Sequence, residues 1–110
     1  MNKPETSIVV VYCTAPENEA ESIAKKLLEE KRVACVNMFP VRSIYKWEGA
    51  VCDEPEQLMI MKTQANVVGN LVSLIQKIHP YDLPEIIVLP VTGGSVEYIS
   101  WVLEETKKTG

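Results

Sequence analysis

The sequence has only one histidine, His79, and only three cysteines, Cys13, Cys35 and Cys52, an odd number at wide spacing. That spacing suits neither a disulfide framework nor a C-x-x-C zinc site, and it predicts reduced thiols. Basic charge is also scarce: 11 Lys and Arg against 15 Asp and Glu give a net charge of −4. No basic face is available to neutralise a row of phosphates, so electrostatically driven nucleic-acid binding is excluded. No apolar run approaches the roughly 18 residues of a membrane span, and residues 1–7 lack the positive-then-apolar layout of a secretion signal. The expectation is a cytosolic chain. There is no G-x-S-x-G elbow, phosphate-binding G-x-x-x-x-G-K-[ST] loop, H-E-x-x-H pair or G-x-G-x-x-G turn, which argues against an enzyme.

What is present is a core. At 110 residues with 46% hydrophobic composition, the chain supports one domain, 1–110, and not two. Ile8 to Cys13 is a β-branched run typical of a central strand covered on both faces. Ala20, Ile23, Ala24, Leu27 and Leu28 recur at helical spacing, with Pro16 near the start and Thr14 or Asn18 as the candidate cap. From Val33 to Trp47 the odd positions Val33, Cys35, Phe39, Val41, Tyr45 and Trp47 are apolar, predicting a strand that Pro40 places at a sheet edge or bulge. Glu48-Gly49 makes a turn, and Gln57 to Thr63 returns as a second central strand. Val67 to Ile78 is a helix stopped by Pro80, Pro84 to Pro90 a fourth strand, and Gly93-Gly94-Ser95 leads into a third helix. That Gly-Gly-Ser turn is read as a serine cap in preference to an anion cradle. The tail from Lys107 is expected to fray.

The order β-α-β-β-α-β plus a terminal helix predicts an α+β, ferredoxin-like split βαβ domain with an antiparallel sheet, first and third strands central. A strand unbroken from Val33 to Trp47 is about 50 Å long, against a globule about 35 Å across, so the hairpin must project. Ile44, Tyr45 and Trp47 near its tip then need cover from another copy of the chain.

Cys13-Thr14-Ala15-Pro16, Ala34-Cys35-Val36-Asn37, Ser43 to Gly49, Met61-Lys62-Thr63 and His79-Pro80-Tyr81 running on through Pro84-Glu85-Ile86 to Val91 stand together in this order. The set resembles the CutA divalent-cation-tolerance family over roughly Ile8 to Glu104. The resemblance implies a ferredoxin-like homotrimer similar in architecture to the PII signalling trimers, and a cytosolic role in tolerance to copper or other divalent metals without catalysis. It also implies copper ligation by Cys13 and His79, with Ile78 standing where the family carries a further histidine.

The topology brings the ends of the first strand and second helix to one sheet edge, so Cys13 and His79 are expected to be neighbours. Thiolate and imidazole suit copper or zinc, and Glu85, a thioether, water or the same pair from another subunit must complete the shell. The alternative is that Cys13 packs as a small apolar residue and His79 caps the helix C-terminus. As a nucleophilic pair the two lack a third, orienting group. Cys35 is expected in the core, and Cys52 is flanked by Asp53 and Glu54. Tyr45, Trp47, Tyr81 and Glu85, with Lys62 from the far end of a neighbouring strand, are candidates to line intersubunit clefts for a small ligand, or else to anchor the interface.

Overall fold

The computed structural model describes residues 7–107; all but Ser7 of the stretch 1–7 read for a secretion signal, and all but Lys107 of the tail expected to fray, lie outside them. Four strands, β1 (Ile8–Ala15), β2 (Cys35–Trp47), β3 (Ala50–Gln64) and β4 (Ile87–Pro90), form one antiparallel sheet in the order β2-β3-β1-β4. Helices α1 (Ala20–Glu29), α2 (Val68–Ile78) and α3 (Val96–Glu105) complete the expected ferredoxin-like order. The two runs read as central strands, β1 and β3, are the two central strands.

Val11, Cys13 and Ala15 of β1 and Met59 and Met61 of β3 pack with Ile23 and Leu27 of α1 and Leu71 and Ile75 of α2. These side chains alternate along their strands, so α1 and α2 cover one face of the sheet. α3 covers only one end of the other face, where Val102 meets Ile8 and Ala34. The remainder of that second face, including Tyr12, Ile60, Phe39 and Ile87, stays half-buried or exposed.

β3 is longer than expected and begins at Ala50, closing directly on Trp47 across the turn. Glu48 (φ 51°) and Gly49 (φ 82°) are both left-handed, the two-residue geometry whose twist suits a hairpin. β1 stops pairing at Ala15 opposite Gln57, whereas the β2–β3 ladder runs on to Trp47 and Ala50. The distal half of the hairpin is therefore a two-stranded arm, as the length argument required, and the molecule measures 43 Å on its long axis.

Three local expectations need correction. Neither Thr14 nor Asn18 caps α1: Glu19 precedes the helix, and the backbone N–H groups of Glu19 and Ala20 donate to the Pro16 carbonyl, so the Pro16 turn replaces a side-chain cap. β4 is only four residues long, Ile87–Pro90: residues 84–86 do not pair with β1, and Pro84 has no N–H to give to a ladder. Cys35 is not core: it pairs with Lys62 on the face that α1 and α2 do not cover. Ser95 does cap α3, its Oγ accepting from the Tyr98 N–H at 3.3 Å.

Candidate functional site

Pro80 ends α2, and His79 is its last hydrogen-bonded residue, its N–H donating to Ile75 O at 2.8 Å. The His79 ring turns away from the helix carbonyls toward the end of β1. Nε2 lies 2.8 Å from the Thr14 carbonyl, and Nδ1 accepts the Tyr81 N–H at 3.1 Å. A carbonyl only accepts and a backbone amide only donates, so Nε2 carries the hydrogen and Nδ1 the lone pair. The Cys13 thiol contacts the same Thr14 carbonyl, Sγ to O 3.7 Å. Cys13 and His79 are thus the neighbours that the topology predicted, meeting on one oxygen.

Their chemistry does not suit a resident metal ion. Burial first, then the negative charges of Glu85 and Glu56, push the Cys13 thiol from 9.0 up to about 12, so it holds its proton at neutral pH. His79 is 7% exposed and both its nitrogens are engaged within the chain. A copper ligand must be a thiolate or a free imidazole lone pair, and neither is on offer. Among the described residues no group of three or more His, Cys, Asp or Glu side chains is placed to hold a metal. A thiol reagent added to the native, reduced protein is expected to leave Cys13 unmodified until denaturant is added. Equal rapid labelling of the wild type and a Cys13→Ala variant shows this; one fewer fast thiol in the variant overturns it.

Beside this pair lies an open cleft of about 800 Å³. One wall is the projecting arm with Tyr45 and Trp47; the other is the segment after α2 with Tyr81, Asp82 and Glu85. Four sequence candidates, Tyr45, Trp47, Tyr81 and Glu85, therefore come together in one chain. Lys62 does not join them. It lies six residues along β3 from Glu56, about 20 Å at strand rise, and its ammonium donates to Asn37 Oδ1 and approaches Cys35 Sγ at 4.0 Å.

The structure adds two carboxylates that motif reading missed. Glu56 is 3% exposed and accepts the Tyr81 hydroxyl at 2.7 Å; Glu54 accepts the Tyr45 hydroxyl at 2.9 Å. Two residues apart on β3, they share a strand face, and each carries a tyrosine. Burial and the bond to Glu56 raise the Tyr81 hydroxyl well above its usual range, and the bond to Glu54 pushes Tyr45 up to about 12. The signal was the acid-rich stretch Asp53-Glu54-Pro55-Glu56 inside a strand, since a charge drawn into a sheet needs a named donor. Arg42, on the same arm, grips Asp53 through Nε and Nη2 at 2.9 and 2.6 Å, which lowers the Asp53 carboxyl and raises the guanidinium.

Comparison with known proteins agrees with the resemblance carried by the motifs. Residues 9–105 match the family described as CutA1 divalent ion tolerance protein. The divalent-cation tolerance protein CutA of Thermus thermophilus is 42% identical over 99 residues, 88% of this chain and 96% of that protein. The chloroplastic protein CutA of Arabidopsis thaliana is 42% identical over 101 residues, 90% of this chain, but the chain spans only 56% of that protein's length. Among solved structures, the PII-like protein CutA from Nostoc sp. PCC 7120 in apo form superposes with a TM-score of 0.86 at 41% identity, covering 89% of this chain and 96% of that one. Sequence match and fold agree along nearly the whole domain, and the chain belongs to the CutA1 divalent ion tolerance family.

Proposed function

We propose that the chain acts in divalent cation tolerance as a non-catalytic, cytosolic homotrimer whose clefts bind a small molecule, a sensor or carrier in place of a metal buffer. The cleft between the arm and the segment after α2 carries this reading, because it gathers aromatic surface and polar groups around a concavity of about 800 Å³. The kinship in fold with a PII-like protein supports it by analogy. The trimer rests on the unpaired arm, the free edge of β2 and the partly uncovered second sheet face. The state of the one thiol beside a histidine supports a role without catalysis: the Cys13 thiol is protonated and bonded to a carbonyl, not to His79.

Copper is the second reading, favoured by the meeting of Cys13 and His79 on one carbonyl. Copper contact there requires a proton to leave Cys13 and the His79 bonds to open, so binding at this pair is weak. Calorimetric titration of the reduced protein separates the two readings. A panel of small metabolites is expected to yield a saturable binder that a Trp47→Ala variant loses. Copper(I) and copper(II) are expected to bind wild type, Cys13→Ser and His79→Ala alike. Tight copper binding lost in Cys13→Ser overturns the cleft reading in favour of the metal.

A further inference from the structure

Resting on the small-ligand reading of the cleft, we propose that its ligand is an organic cation. An amine or guanidinium group is held at Glu56 and Glu85, and a flat apolar body lies against Tyr45, Trp47 and Tyr81.

The charge balance of the walls points this way. Arg42 is committed to Asp53 by two short bonds, which leaves Lys46 as the other cation of the lining, against Glu56, Asp82 and Glu85, with Glu54 just behind Tyr45. An anion entering the cleft needs donors, and the two tyrosine hydroxyl hydrogens, the obvious ones, are already directed at carboxylates. Glu56 keeps acceptor capacity beyond its single bond from Tyr81, since a carboxylate offers about four lone-pair sites. Burial first, then neighbouring carboxylates, disfavour deprotonation of Cys13 (Glu85 and Glu56) and Tyr81 (Glu56), and the bond to Glu54 does so for Tyr45. Three groups on different elements thus sense the same negative potential, which attracts a cation and repels an anion.

The arrangement also separates an organic cation from a metal ion. A divalent metal needs several oxygen ligands converging within about 2.5 Å, and no group of three such side chains is so placed among the described residues. Carboxylates spread along a cleft of about 800 Å³ instead suit a larger ion that meets each with a separate N–H. Exposed faces of Tyr45 and Trp47 add cation–π attraction, worth most to a poorly hydrated organic ion.

A series with one phenylethyl body and three head groups tests the charge: 2-phenylethylamine, 2-phenylethanol and 3-phenylpropionate, titrated calorimetrically into the protein at constant ionic strength. The amine is expected to bind about tenfold more tightly than the alcohol, and the carboxylate more weakly than either. Glu56→Gln and Glu85→Gln are each expected to weaken the amine about fivefold and leave the alcohol unchanged. Glu85 is exposed, so that variant keeps its fold even where loss of the buried Glu56 charge disturbs the sheet. The alcohol or the carboxylate binding most tightly overturns the cation and leaves the small-ligand reading standing. Amine affinity unchanged in Glu85→Gln, or displacement of the amine by equimolar manganese(II), also overturns it. Silence from all three compounds, with no binder from the metabolite panel, overturns both.

Discussion

Raising the pH from about 9 to about 11 is expected to cost the wild-type protein about 2 kcal/mol more folding stability than it costs a Cys13→Ala variant. In the unfolded chain the thiol ionises near 9.0; in the folded chain burial and the carboxylates Glu85 and Glu56 hold it protonated up to about 12. Above pH 9 the unfolded state therefore releases a proton that the native state keeps. Stability that is full below that pH is lost as the pH climbs toward 12, and each unit within the window is worth about 1.4 kcal/mol. Tyr45 and Tyr81 act with the same sign above pH 10, but they are common to both proteins and cancel in the comparison. Cys13→Ala removes one buried sulfur and lowers stability by a pH-independent amount of about 1 kcal/mol. Urea unfolding at fixed protein concentration and under reductant measures the difference. Parallel pH profiles mean that the thiol is not shielded, and they restore it as a metal ligand.

The same shielding explains how much of the site was legible in the sequence. Topology alone placed Cys13 beside His79, because the end of β1 and the end of α2 must share an edge once the crossover is right-handed. Nothing in the residue types said which way the ring would face. Its orientation is set by the Tyr81 N–H and the Thr14 carbonyl, two backbone groups that become neighbours only in the tertiary fold. Glu56 was hidden for a related reason: a glutamate in an acidic stretch reads as solvated until Tyr81, 25 residues on, is seen to bond it. The sheet itself was legible because β-branched runs and the Val33–Trp47 alternation are local signals, and they returned the strand order correctly. The extent of β3 was not, since Val51 to Glu56 pair only with the arm and carry no apolar face. β1 and β3 were read as covered on both faces. One chain covers only one face fully, with α1 and α2, while α3 reaches just the Ile8 end of the other. The rest of that face stays open in the single chain, which fits the proposed trimer.

If the proposed trimer forms, the wild type is expected to sediment as three chains, about 37 kDa, and a Phe39→Glu variant as a single 12.3 kDa chain. Phe39 pairs with Leu58 on the second sheet face and is 47% exposed in the isolated subunit, so a carboxylate there disturbs little of the subunit's own packing. At the centre of an assembled face it must instead be desolvated once per chain and brought near its symmetry mates, at several kcal/mol per ion. The arm offers a second surface for assembly. Ile44 and Val51 stand exposed on a two-stranded ribbon, and such a ribbon is marginal in water unless another surface covers it. Sedimentation equilibrium at micromolar concentration reads the mass, and far-ultraviolet circular dichroism checks that the variant is folded. A wild type that runs as a monomer removes the trimer outright. A Phe39→Glu protein that remains three chains moves the interface off this face and onto the arm and the free edge of β2.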